Sequence, residues 1–180
     1  YDLFARAAKR AADLPDDGRP IAGFYGSISD WMDLELLQKT IALLPHWHFV
    51  FIGKPVVDIR ALRKMQNVIL LGERPHRELP SYSQHWTASL LPFVDNPQIQ
   101  ACNPLKLQEY LAAGRPVVST LFPALTPYSK LVHTVTDAKS MAGALEKCVL
   151  DRGMAERQQA VCRHTWAAKA AQLSDWLEAL

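Results

Sequence analysis

The chain has 180 residues, 49% of them hydrophobic and 21% charged, which sits inside the globular range and is long enough to bury one core. Its net charge of +2 is too mild for a nucleic-acid footprint, and no apolar run reaches membrane length. Three widely spaced cysteines with no Cys-x-x-Cys pair argue against a disulfide framework or a structural zinc site and fit a reducing cytoplasm.

The chain opens at Tyr1 with neither a methionine nor a signal-peptide pattern, and it reads as a soluble piece of a longer protein. Short apolar runs at 21–25, 48–52, 68–71, 88–92, 117–120 and 132–135 predict six buried strands. Between them lie amphipathic stretches. Apolar residues at 34, 36, 37, 41, 43 and 44 predict a helix over 33–44 that Pro45 stops, and 140–150 and 157–180 read likewise. Alternating strands and helices make an α/β fold: a Rossmann-like, doubly wound parallel sheet of order 3-2-1-4-5-6 with helices on both faces. Ligands on such sheets sit beyond the carboxyl ends of strands one and four.

Loops there carry the candidate residues. After strand one come Gly26 and Ser27, small enough for backbone to approach a phosphate. Gly23-Phe24-Tyr25-Gly26 is not a G-x-G-x-x-G dinucleotide fingerprint, so a nicotinamide enzyme is discounted. Lys54 follows strand two and can reach the same crevice. His46 and His48 share one side of a strand, but no third ligand lies nearby, so no metal site is assigned. The five tryptophans read as core, and His85 and His164 as structural.

The richest segment is NPLKLQEYLAAGRPVVS, residues 103–119. Asn103 is expected to cap a helix with Pro104 at its first position, and Gly114 and Pro116 end it. Lys106 in the first turn opposes the macrodipole unless an anion is present, which points to a diphosphate at Asn103, Pro104, Leu105 and Lys106. Glu109 lies on the same face, about 9 Å along the axis from the cap, where a carboxylate can accept hydrogen bonds from ribose hydroxyls. A plain Lys106–Glu109 surface pair remains the alternative.

This segment resembles the donor-binding motif of the C-terminal half of GT-B fold retaining glycosyltransferases of the large group that builds bacterial surface polysaccharides. FYGSISDWMDLELLQKTIALLP resembles the first strand, turn and helix of that half, and NVILLGERPHRELPSYSQHWTASLLPF its base-binding loop. The likeness covers residues 20–175. It implies that residues 1–19 are the linker from a missing N-terminal domain and 20–180 the nucleotide-sugar-binding domain. It also implies that Glu109 holds the ribose, while Gly72, Arg74 and Pro75 surround the base with Leu79 beneath. In much of the family a glutamate eight positions before Glu109 touches the donor sugar; here Ala101 stands there.

The expected activity is transfer of a sugar from a nucleoside-diphosphate sugar to a glycan or lipid-linked acceptor, with retention. The acceptor is reached through the missing domain, and the leaving diphosphate takes the proton. No catalytic residue is assigned. No cofactor or metal is expected, because no Asp-x-Asp occurs and a helix end with Lys or Arg can meet the diphosphate charge. Location is expected in the cytoplasm, with peripheral association of the full-length enzyme at the inner membrane face. The alternatives are a nucleotide-sugar epimerase of the same architecture and a non-catalytic nucleotide-binding scaffold, to which Ala101 lends weight.

Overall fold

A computed structural model describes residues 1–178. In chain order the elements are α1 (Asp2–Ala5), β1 (Ile21–Tyr25), α2 (Leu34–Leu43), β2 (His48–Ile52), α3 (Arg60–Arg63), β3 (Val68–Gly72), α4 (Pro80–Ser83) and β4 (Ala88–Leu91). These are followed by α5 (Pro97–Gln100), α6 (Leu105–Ala113), β5 (Val117–Thr120), β6 (Val132–Val135), α7 (Ala138–Cys148), α8 (Met154–Val161) and α9 (Trp166–Glu178). The 3-10 segments at His76–Glu78, one turn, and Pro123–Tyr128, two turns, complete the described elements.

The six strands form one parallel sheet of order β3-β2-β1-β4-β5-β6, as the alternating pattern predicts. Ile21 to Tyr25 lie opposite His48 to Ile52 residue for residue, and all ten are buried. Helices cover both faces of strands like these, so their sequences are continuous apolar runs and do not alternate. Asp33 caps α2 by accepting from the Leu36 N–H at 2.8 Å, and Asp137 and Ser140 form a reciprocal capping box on α7. Trp47 and Trp86 are wholly buried, with the Trp86 indole donating to Ser89 Oγ at 2.9 Å.

Three expectations need correction. The stretch 157–180 is not one helix: α8 ends at Val161 and α9 begins at Trp166, where the Thr165 hydroxyl caps by accepting from the Ala168 N–H at 3.0 Å. Trp176 is 62% exposed on α9 and is no core residue, Trp31 is half-buried, and the side chain of Trp166 lies outside the described residues. Asn103 does not cap α6. Pro104 occupies the cap with extended backbone, φ −71° and ψ 126°, and no side chain satisfies that end. Residues 76–83 form two short pieces, the 3-10 turn and α4, because Pro80 has no N–H to continue the first turn.

Residues 1–19 are stapled to the domain. Phe4 and Leu14 are buried, and the Gln84 amide donates to the Phe4 and Arg6 carbonyls at 2.7 Å each while accepting from the Ala8 N–H at 2.9 Å.

Candidate nucleotide-binding site

At the carboxyl ends of β1, β2 and β3, a cleft of about 390 Å³ opens against the first turns of α6. Its floor is set by two glycines. A side chain on Gly53, whose φ is +139°, would begin 2.1 Å from the Gly26 carbonyl oxygen, so the two loops can meet only through bare backbone. One on Gly26, φ +129°, would begin 2.3 Å from Cε of Lys106. The lysine therefore lies directly over the loop that follows β1.

Lys106 is held without an ionic partner. No salt bridge joins it to any described residue. Its Nζ instead rests 5.4 Å from the centre of the Trp31 ring and 5.9 Å from that of Phe24, a cation–π arrangement. Burial lowers its pKa, with the charge on Glu109 acting the other way. By helix geometry the Leu105 and Lys106 N–H groups have no intrahelical carbonyl, and the dipole adds positive potential where the amine already sits.

One turn further along α6, Glu109 faces the same cleft. The Tyr25 hydroxyl donates to its Oε2 at 2.8 Å, and His76 Nε2 lies 2.8 Å from its Oε1. Tyr25 is 3% exposed, stacked near Phe4 and Trp86 and edge-on to Tyr110, whose hydroxyl accepts from the Tyr25 backbone N–H at 3.1 Å. Burial raises the Tyr25 phenol well above its ordinary pKa, and the charges of Tyr110 and Glu109 add to this, so it remains an O–H donor.

Of the residues singled out in the sequence, the cleft brings together Gly26, Ser27 and Lys54 from the loops, Arg74 and Leu79 from the far wall, and Leu105, Lys106 and Glu109 from α6. Leu79 is buried. Arg74 is tied down: its Nη2 pairs with Asp13 Oδ2 at 2.8 Å and its Nε donates to the Tyr82 hydroxyl at 3.1 Å. It can cover a flat group but is not free to reach a phosphate. Gly72, Pro75 and Pro104 do not line this cleft, and Asn103 borders two neighbouring ones beside Ala101 and α9. Tyr25 was not singled out, and His76 was expected only as the end of the base-binding loop 72–76, although both touch Glu109. For Tyr25 the signal was present, since a hydroxyl in a wholly apolar strand needs a partner.

Among the described residues no group of three or more His, Cys, Asp or Glu is placed to hold a metal ion. No described helix is long and apolar enough to cross a membrane.

A family model for glycosyl transferases group 1 matches residues 19–151. The chain belongs to this family. A protein described as a teichuronic acid biosynthesis glycosyltransferase, TuaH of Bacillus subtilis (strain 168), is 34% identical over 137 residues, covering 72% of this chain and 34% of the relative. The chain thus spans about a third of the curated relative's length. Sucrose-phosphate synthase from Thermosynechococcus elongatus superimposes with a TM-score of 0.74 at 22% identity, covering 98% of this chain and 49% of that one. Anabaena HepE, solved in complex with UDP, gives 0.70 at 15% identity over 90% of this chain and 49% of its own. These structures share the fold, and in each this group 1 glycosyltransferase domain corresponds to about half the molecule.

Proposed function

We propose that this domain is the nucleotide-sugar-binding half of a glycosyltransferase that moves a sugar from a nucleoside diphosphate to a glycan or lipid-linked acceptor held by another domain. The observation that carries this reading is the Lys106 amine, held over the Gly26 loop in the first turn of α6 with no carboxylate paired to it. Two phosphates at that helix end would complete the electrostatics, with Ser27 and the bare backbone of Gly26 and Gly53 allowing close approach. Glu109 would then accept from the ribose hydroxyls, and Arg74 and Leu79 would flank the base. Relatives in the family and UDP bound to HepE support a nucleoside-diphosphate sugar as donor.

Charge on the departing diphosphate would be met by Lys106 and the helix end without a metal cofactor, so turnover should persist in excess chelator. The reaction would proceed with retention in the cytoplasm, at the inner face of the membrane when the acceptor is lipid-linked; three free cysteines fit that compartment. Residues 1–19 would connect to the acceptor-binding domain.

The test is titration of the protein with UDP, GDP and ADP, observed on the ligand by NMR. One of the three should bind at roughly 0.1 to 1 mM, about −4 to −5.5 kcal/mol, and compete with its nucleotide sugar. No binding at several millimolar refutes the assignment. Ala101, in place of a carboxylate beside the donor sugar, favours a second reading: a scaffold that binds nucleotide without transferring sugar. Tight nucleotide binding by a whole protein inert toward every donor would select it.

A further inference from the structure

The two oxygens of Glu109 are held by very different partners. Tyr25, which reaches Oε2, is 3% exposed and cannot leave without opening the aromatic cluster of Phe4, Trp86 and Tyr110. His76, which reaches Oε1, has a side chain 61% exposed, on a short 3-10 turn with its ring T-shaped to that of Phe4, 5.3 Å between centres. The Glu109 side chain itself is 18% exposed. A carboxylate offers about four acceptor sites, so one anchored oxygen leaves the other free for a ligand.

We propose that Tyr25 is a positioning residue that locks the Glu109 carboxylate toward the cleft through Oε2, and that His76 occupies on Oε1 the place a ribose hydroxyl takes when nucleotide binds. The inference rests on the donor-domain reading and adds to it which residue sets the ribose contact. A free glutamate on a helix samples several rotamers, and freezing it costs free energy at the moment of binding. The buried phenol bears that cost in the folded chain, before any ligand arrives, which is the usual gain from preorganisation. His76 keeps Oε1 partnered in the absence of ligand, and its position in a solvent-facing turn lets it swing out.

The experiment compares UDP, GDP and ADP with the 2′,3′-dideoxy form of whichever binds best, using wild type, Tyr25→Phe and Glu109→Ala. Phenylalanine keeps the ring and its stacking and removes only the donor. Wild type should prefer the ribose form about tenfold, and Tyr25→Phe should bind that form about threefold to tenfold more weakly while binding the dideoxy form as before. Glu109→Ala should lose the preference. In the wild-type protein, the His76 ring resonances should shift with the ribonucleotide and stay in place with the dideoxy form. This second measurement needs no variant to fold.

Each failure has a separate meaning. No nucleotide binding, or Glu109→Ala that keeps the ribose preference, refutes the donor-site reading and the inference with it. A Glu109→Ala protein that loses the preference beside a Tyr25→Phe protein that keeps it overturns the inference alone. Equal weakening of both nucleotide forms in Tyr25→Phe also overturns it, since that is what a merely loosened core would produce.

Discussion

The two ends of the sheet treat positive charge in opposite ways. At the amino ends of β1, β4 and β5 a pocket of about 530 Å³ is lined by Arg19, Arg115, Arg152 and Arg157. Three of these four arginines already have partners. Arg157, 4% exposed, pairs with Asp151 and donates through Nε to the Gly114 carbonyl at 3.1 Å; Arg115 Nε donates to the Gln84 carbonyl at 2.7 Å; Arg19 pairs with Asp17 at 2.8 Å. Gly114 and Gln84 close α6 and α4, so Arg157 and Arg115 cap helix carboxyl ends, where carbonyls lack partners and the dipole is negative. At the opposite end of the same helix, Lys106 sits where the dipole is positive and meets aromatic faces. Location relative to a helix end, more than number of charges, separates a cation that holds the fold from one placed for a ligand.

That contrast is broken most forcefully at Arg157. Arg157→Ala leaves Asp151 partly buried without its partner and exposes the Gly114 cap, and should lower the free energy of unfolding by about 3 to 5 kcal/mol in denaturant melts. The affinity of the folded fraction for nucleotide should not change. A loss of binding without a loss of stability would mean that the two ends are misassigned. Lys106→Met should do the reverse, leaving the melt unchanged or slightly raised while weakening a nucleoside diphosphate about tenfold to a hundredfold in the ligand titration. If the unphosphorylated nucleoside weakens equally, the amine does not serve the phosphates.

A smaller effect sharpens the assignment along α6. Glu109→Ala should weaken the nucleotide about tenfold, a hydrogen bond to a charged group, while Glu146→Ala on α7 leaves binding untouched. Glu146 pairs on the surface with His46 at 2.8 Å and receives the Trp47 indole N–H at 3.3 Å, so it is a partnered but distant carboxylate. Equal loss in both variants would sink the site.

What could be read from the sequence followed how local each signal was. Strands β1, β2, β5 and β6 begin and end where their apolar runs do, and Gly114 takes the left-handed conformation, φ +80°, that its place before Pro116 foretells. Their order followed from crossover handedness. The α6 cap was misplaced by one residue, because Pro104 itself remains extended, ψ 126°, and the first helical residue is Leu105. Helices α1, α3 and α5, four residues each, are too short to have a periodic signature and are fixed by packing. The site was half legible. Lys106 and Glu109 share one helix face and announce themselves by spacing, whereas Tyr25 meets Glu109 across 84 positions and Arg74 meets Asp13 across 61. No local rule reaches that far, which is why the Asp13 partner that holds Arg74 could not be read from the sequence.

The smallest expected effect lies in pH: at both ends stability rises with pH, in an acid window at Asp151, where the charge stabilises, and in an alkaline one at Lys106, where the charge destabilises. For Asp151, burial works to raise the pKa but the Arg157 hydrogen bonds and charge outweigh it, leaving it below the ordinary value of 3.8. Its contribution to stability is therefore complete above pH 3.8 and is lost as pH falls through the lower, folded value. Lys106 has a pKa lowered from 10.5 by burial, so the unfolded chain binds the extra proton and folding is penalised while the amine is charged. That penalty is full at neutral pH and is relieved as pH rises through the lowered pKa toward 10.5. Wild type should consequently gain on Lys106→Met by about 0.3 to 1 kcal/mol between pH 7 and pH 10 in paired urea melts, the size of an unfavourable charge at a helix end. A bound diphosphate reverses the sign, because it stabilises the charged amine: over the same interval nucleotide affinity should fall in wild type and stay level in Lys106→Met. A wild-type affinity that is flat up to pH 10 would separate Lys106 from the phosphates and return it to the fold.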